Sequence, residues 1–277
     1  MISEKVKSYS KLNLGLKVLN KRPDNYHNIK SIFIEIDLHD TLEFIQSEKF
    51  SIECSNNNIP VDDNNTISKV CNALDNRYTL KKKFKIILYK AIPIESGLGG
   101  GSGNAATTLI TLNRLNNLNL SIKELMNIAK DIGSDVPFFI HGGIKLVSGI
   151  GEIVKKYPAP ILKSLQFLLI FPKFAISTTW AYKKIKKTLD YKIDSPKFPA
   201  LDGEVDWKLF ENDFEKIVGS AYPEIFEIKE FFKNNGALYS SLSGTGSTMF
   251  GVYNNVRFIK KAQNKLNNYN TLIVSPT

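Results

Sequence analysis

Cysteine is nearly missing from this 277-residue chain. Cys54 and Cys71 form no C-x-x-C motif, and no disulfide framework can be drawn from them. Free thiols in a reducing compartment are expected. No apolar run reaches membrane-spanning length, and Met1-Ile2-Ser3-Glu4-Lys5 carries no apolar signal core. A soluble, cytoplasmic protein without a membrane partner is therefore expected. Internal repeats and low-complexity tracts are lacking too. Acidic residues are the scarcer charge, leaving a formal net charge of +10. The excess Lys is scattered, which reads as composition bias and is compatible with small polyanionic ligands. No dense Arg-rich or aromatic-interleaved patch occurs, so nucleic acid is not an expected partner. Size and a hydrophobic content of 43% allow one large or two modest globular domains.

What the chain does have is glycine in one place. Residues 90–107 read K-A-I-P-I-E-S-G-L-G-G-G-S-G-N-A-A-T. Lys83 to Tyr89 before them is a β-favouring run, and Ala105, Ala106, Leu109, Leu112 and Leu115 after them fall at helical spacing. Strand, glycine loop and helix follow in that order. Without Cβ atoms, successive N–H groups can converge on one point, and the helix start adds unpaired N–H groups and a positive dipole end. Such a loop suits an anion, most simply a nucleotide phosphate. It is not a Walker loop, because no Lys follows its glycines. Gly101 to Ala106 matches G-x-G-x-x-A, but Ser121 to Ile132 reads as a helix where a dinucleotide fold needs a strand. No H-R-D or D-F-G is present, which excludes the protein-kinase arrangement.

Elsewhere, Ser8 to Leu19 alternates like a half-buried strand, with Leu12, Leu14, Leu16 and Val18 on one side. Lys11, Asn13 and Lys17 take the other side, where a lysine is ordinarily a surface residue. Arg22-Pro23-Asp24-Asn25 is turn chemistry. Ser31 to Phe44 reads as a strand pair around Asp37-Leu38-His39-Asp40, and Phe50 to Cys54 as a short strand. Asn65 caps a helix through Leu74, and Ser121-Ile122-Lys123-Glu124 is a capping box. Gly133 to Phe139 opens a helical turn in which Asp135 stands as a first-turn acid. A Pro-containing link from Tyr157 marks a boundary, and Phe167 to Phe171 a buried strand. Lys183 to Gly203 reads as a variable loop. Phe214 to Asn234 reads as helical, Ser241 to Thr248 as a tight turn between strands, and Arg257 to Asn267 as a final helix.

Several of these stretches resemble one family. Pro93-Ile94-Glu95-Ser96-Gly97-Leu98-Gly99, continued by glycine, Ser102 and Ala105-Ala106, is similar to the phosphate loop of the GHMP kinases. Gly133-Ser134-Asp135-Val136-Pro137-Phe138-Phe139 resembles the motif holding that family's catalytic acid–base residue. Ser243-Gly244-Thr245-Gly246-Ser247 resembles its third motif, and the three stand in the family's order. The opening Ser10-Lys11-Leu12-Asn13-Leu14 and Arg22 to His27, with Pro172 to Tyr182, resemble the branch whose acceptor alcohol carries a cytidine diphosphate.

The resemblance implies an α+β, two-lobed GHMP kinase fold with its active site in the inter-domain cleft. Residues 1–156 would form the N-terminal domain, with phosphate loop, Lys and Asp, and 157–277 the C-terminal one. It implies ATP and Mg²⁺, with Asp135 as base and Lys11 stabilising charge beside it. ATP would be held by Pro93, Ile94, Glu95, Ser96, Gly97, Leu98, Gly99, Gly100, Gly101, Ser102, Gly103 and Asn104. Asn65, Ser243, Gly244, Thr245 and Gly246 would complete that site. Asn13, Tyr26, His27 and Tyr182 would bind the cytidylyl acceptor, and Ser102 is the candidate Mg²⁺ ligand. Two departures stand out, Gly103 where the family usually has Ser and Ile94-Glu95-Ser96 where the stretch is commonly Gly-rich. A homoserine, mevalonate or sugar kinase, or a non-catalytic nucleotide- or RNA-binding module, is the alternative. A monomer or weak homodimer is expected.

Overall fold

A computed structural model describes residues 2–185 and 198–277. Part of the Lys183 to Gly203 segment thus lies outside the described residues. The chain opens with strands β1 (Ser3–Lys21), β2 (His27–Ser47) and β3 (Ser51–Cys54), helix α1 (Thr66–Tyr78) and strand β4 (Lys83–Tyr89). Helices α2 (Gly100–Leu115), α3 (Ile122–Ile132) and α4 (Val136–His141) follow, then β5 (Ile144–Gly149), β6 (Ile153–Lys156) and β7 (Gln166–Phe171). Beyond them come α5 (Thr178–Lys184), α6 (Glu215–Ala221), α7 (Glu224–Asn234), β8 (Tyr239–Leu242), β9 (Met249–Tyr253), α8 (Val256–Gln263) and β10 (Asn270–Val274). The class is α+β, as expected. No helix among the described residues is long and apolar enough to cross a membrane.

Two compact units divide the chain, each assembled from separate stretches. The first takes Met1–Ser10, Leu38–Pro93 and Gly99–Gly142, and the second Lys11–Asp37, Ile94–Leu98 and Gly143–Thr277. In the first, the later half of β2 pairs antiparallel with β4 from Thr41↔Tyr89 to Ser47↔Lys83. β3 lies parallel on the other side of β4. Helices α1 to α4 form its helical layer, burying Ile67, Val70, Leu74, Leu109, Leu112, Leu125, Ile128 and Phe138. The Ser121 capping box is complete: Glu124 N–H donates to Ser121 Oγ, and Ser121 N–H donates to Glu124 Oε2.

In the second unit, the earlier half of β2 pairs antiparallel with β5, which pairs with β6. A separate antiparallel sheet runs β10-β7-β9-β8. Phe214, Val218, Ile225, Ile228, Phe232 and Ile259, from α6 to α8 and the turn before them, join Leu168, Ile170 and Met249 in one apolar cluster.

Three expectations are corrected. The strand pair around Asp37 to Asp40 is one continuous strand, β2. No turn is needed there, because each carboxylate finds a donor: Asp37 accepts from Ser275 N–H, and Asp40 from N–H groups of its own unit. β1 is not half-buried around its middle, since Lys11 and Asn13 are only 4% and 0% exposed. Their polar atoms are satisfied inside, as described below. The final helix ends at Gln263, and the chain then adds β10, paired from Asn270↔Phe171 to Val274↔Phe167.

Candidate active site

The glycine loop is held by its carbonyls. Leu98 C=O accepts from Lys11 N–H at 2.9 Å, and Ser96 C=O from Thr248 N–H at 3.2 Å. Gly97 C=O accepts from Lys11 Nζ at 2.7 Å and Ser243 Oγ at 3.0 Å. These bonds commit the carbonyls of Ser96, Gly97 and Leu98 within the second unit. Gly99, at φ +71°, is the N-cap of α2 and makes no side-chain cap, and no acidic residue lies in the helix's first turn. The first amides of α2 therefore keep their unpaired character and the dipole is not offset. An anion is the fitting partner. Pro93, Ile94 and Glu95 are exposed, and Glu95 sits at φ +51°, where a glycine would be unstrained.

Lys11 and Asn13 belong to a buried polar chain. Lys11 Nζ donates to Asn13 Oδ1 and lies 5.0 Å from the centre of the Phe33 ring. Asn13 Nδ2 donates to Ser31 Oγ at 3.1 Å, and Ser31 Oγ donates to Gly15 C=O at 2.6 Å. Ser243 to Gly246 stand against this chain. A Cβ at Gly244 would be 3.4 Å from Asn13 Oδ1 and 3.5 Å from Lys11 Nζ. Thus Lys11, Asn13, Gly97 and the third motif come together in the second unit, with Thr245 Oγ1 paired to Thr178 Oγ1 at 3.2 Å.

In the first unit, Thr66 Oγ1 donates to Gly101 C=O at 2.8 Å, which ties α1 to α2. Asn65 is the N-cap of α1. Its amide is already engaged, accepting from Ile67 N–H and donating to Pro60 C=O at 2.7 Å. Asp135 stands half-buried at the N-cap of α4, and its carboxylate does not cap that helix. Phe138 N–H donates to Asp135 C=O at 3.2 Å, which fixes the backbone there.

Gly103 is buried, and the space beside it is filled. A Cβ there would be 2.5 Å from Tyr9 C=O and 3.2 Å from Ser8 Oγ. Gly103→Ser is therefore expected to destabilise by about 1–3 kcal/mol through overpacking against backbone, not to supply a hydroxyl for a metal. Thermal unfolding measures this, and an unchanged Tm would show that β1 gives way.

The acceptor-binding candidates lie in the second unit. Asn25 takes φ +69° at the place of the family's glycine, and Tyr26 N–H donates to Asp24 Oδ1 at 3.1 Å. That turn leaves Tyr26 58% exposed. His27 stacks on Tyr182, with centroids 5.5 Å apart at 29°. Burial, aided by the Lys21 charge, holds the His27 imidazole below its ordinary pKa, which favours the neutral ring.

Residues that the sequence did not single out also shape the site. Asn212 Nδ2 donates to Leu242 C=O and Gly244 C=O, both at 2.8 Å, under the third motif. Glu215 accepts from Ser241 Oγ at 2.6 Å and Leu242 N–H at 3.1 Å. Nothing in Asn212-Asp213-Phe214-Glu215 separates it locally from a polar surface stretch. Asp40 could have been noticed as a charge inside an apolar strand run.

Comparison with known proteins decides the family. The pattern described as GHMP kinases N terminal domain matches residues 65–143, and GHMP kinases C terminal matches 204–271. A 4-diphosphocytidyl-2-C-methyl-D-erythritol kinase of Thermodesulfovibrio yellowstonii is 45% identical over 92% of both chains. The chain belongs to the GHMP kinases. A protein of the same name from Thermoanaerobacter pseudethanolicus is 38% identical over 95% of this GHMP kinase and 91% of its own length. The crystal structure of a 4-(cytidine 5'-diphospho)-2C-methyl-D-erythritol kinase superposes with a TM-score of 0.79 at 23% identity, covering 99% of this chain and 100% of that one. That likeness is one of fold. GHMP kinases use ATP as their phosphoryl donor, which agrees with the uncapped amides at the start of α2.

Proposed function

We propose that this GHMP kinase transfers the γ-phosphoryl group of ATP to the 2-hydroxyl of 4-diphosphocytidyl-2-C-methyl-D-erythritol, a step in making isoprenoid precursors by the non-mevalonate route. What carries the acceptor's identity is the 45% identity, over 92% of both chains, to a relative named for it. Phosphoryl transfer needs in-line placement and stabilised charge more than covalent chemistry. The amides from Gly99 to Ser102 bind the phosphates. Asp135 takes the proton from the attacking hydroxyl as general base. Lys11, whose ammonium is already oriented by Asn13 and Gly97, faces the developing negative charge.

Tyr26 and Tyr182 stack on cytosine, each contact contributing roughly 1–3 kcal/mol by analogy with base–aromatic stacking. His27, neutral and already against Tyr182, reads the edge of the base, and Asn13, buried and bonded to Lys11 and Ser31, supports the sugar-alcohol portion through Lys11. Mg²⁺, when bound with the triphosphate, offsets the phosphate charge. Such an ion takes few protein ligands and keeps several waters. Ser102 Oγ, in the first turn of α2, is the side chain offered to it, since Gly103 has no hydroxyl. The reaction takes place in the cytoplasm, on a monomer or weak homodimer that engages neither membrane nor nucleic acid.

Coupled ADP release with the cytidylyl alcohol, homoserine, mevalonate and galactose tests the assignment. Turnover is expected with the first, and kcat/KM at least about a hundredfold lower with the others, since each lacks the base that two stacked rings recognise. Preference for any of those three would replace the acceptor. No ADP with any alcohol would favour a nucleotide-binding module.

A further inference from the structure

Glycine-rich loops have little conformational preference of their own, so something outside the loop must hold its two ends. In the first unit that role falls to a residue on β2. Asp40 is 0% exposed, and its carboxylate gathers donors from both flanks of the loop. Oδ1 accepts from Ala91 N–H and Ile92 N–H, both at 2.8 Å, where the chain leaves β4. Oδ2 accepts from Asn104 Nδ2 at 3.1 Å, on the far side of the loop within α2. Lys90 Nζ completes the cluster, 2.9 Å from Oδ2 and 3.1 Å from Oδ1. The same ammonium donates to Ile92 C=O, and a Cβ on Gly100 would lie 3.2 Å from it. Lys90 therefore sits directly against the first residue of α2.

A buried carboxylate with four nitrogen donors is costly unless all of them stay in place. Moving either flank would strip a charged acceptor of its partners, so both flanks are pinned at once. Burial draws the Lys90 ammonium below the usual lysine range while Asp40 opposes that loss, so the pair is closely interdependent. Asn104 Oδ1 is buried and has no hydrogen-bond partner, so this side chain is oriented by Asp40 and not by its other neighbours.

We propose that Asp40 is the positioning residue of the phosphate loop, setting the distance between Ala91-Ile92 and Asn104 and with it the convergence of amides that binds the nucleotide's phosphates. The proposal rests on the phosphate-binding part of the function given above and not on the identity of the acceptor. Asp40 touches no substrate and acts through the loop. Its effect is therefore on nucleotide affinity, leaving the acceptor site of the second unit unchanged.

Two variants of the full chain separate positioning from general support. Asp40→Asn keeps shape but removes the charge and leaves the buried Lys90 ammonium unpaired, and the double variant Asp40→Asn/Lys90→Met removes both charges while keeping an oxygen that can accept from Ala91 N–H and Ile92 N–H. ATP and ADP affinities are measured by calorimetry, and KM for ATP and for the cytidylyl alcohol by coupled assay. Both variants are expected to weaken ATP binding by about tenfold or more, the order of a lost charged hydrogen bond, with the acceptor KM within about twofold. The double variant is expected to regain thermal stability relative to Asp40→Asn without regaining ATP affinity. Wild-type ATP affinity in a folded double variant would overturn the proposal, as would equal losses for both substrates. A parent protein that binds ATP but does not turn over the cytidylyl alcohol sinks the acceptor assignment alone. A parent that binds no ATP sinks both.

Discussion

Gly97→Ala is expected to remove activity and to cost more stability than any other single methyl group added to the loop. Gly97 has φ +77°, and a Cβ there would stand 2.0 Å from Ser243 C=O and 3.2 Å from Gly246 N. The obstacle is backbone on both sides, so no side-chain rotation relieves it. Retreat is blocked too, because Gly97 C=O is held by Lys11 Nζ and Ser243 Oγ. The left-handed conformation alone costs an alanine about 1–2 kcal/mol. With the clash the total passes about 4 kcal/mol, the range reserved for severe substitutions. A fall in kcat/KM of at least about a thousandfold is expected, together with a lower Tm. Gly101→Ala is the control: the one neighbour within reach is Thr66 Oγ1 at 3.9 Å, so Tm should hold or rise. Near-normal turnover in Gly97→Ala would mean that the loop does not need its contact with the third motif.

Asp135→Asn is expected to lower kcat by about 10²- to 10⁴-fold, the usual contribution of a positioned general base. Binding of ATP and of the cytidylyl alcohol should change little, because the amide has the same shape and the backbone is fixed through Phe138 N–H. The carboxylate does not cap α4, so helix stability should survive its replacement. Equilibrium binding beside steady-state rates separates the two effects. An Asn variant with normal kcat would show that the proton leaves by another route. A variant with normal kcat but poor acceptor binding would recast Asp135 as a binding group.

The site was legible in the sequence to different depths. The loop, its flanking strand and helix, and the Asn65 and Ser121 caps could be read because each is decided within a few residues. The turn at Asp24 and Asn25 was equally open, since an Asx contact and a left-handed residue are local devices. Lys11 was different. Alternation along β1 correctly put Leu12, Leu14, Leu16 and Val18 on one buried face, but it also assigned Lys11 and Asn13 to solvent. Their burial depends on Gly97 and Ser31, which alternation cannot see. Asp40 failed for a related reason. Asp-Leu-His-Asp looks like a turn until Asn104, 64 residues away, is known to face it.

By itself, the sequence determined the local pieces: a glycine run set between a strand and a helix, capped helix starts, and motifs sufficient to recognise a GHMP kinase. These follow from backbone freedom and hydrogen bonds closed over a few residues. Only the tertiary structure decided which polar groups are used up and which are left to act. It committed the carbonyls of Ser96, Gly97 and Leu98, filled the space beside Gly103, and gave Asp40 its donors. The reason is that burial and hydrogen-bond satisfaction are settled between residues such as Gly97 and Ser243, 146 positions apart, which nothing short of the packed chain brings together.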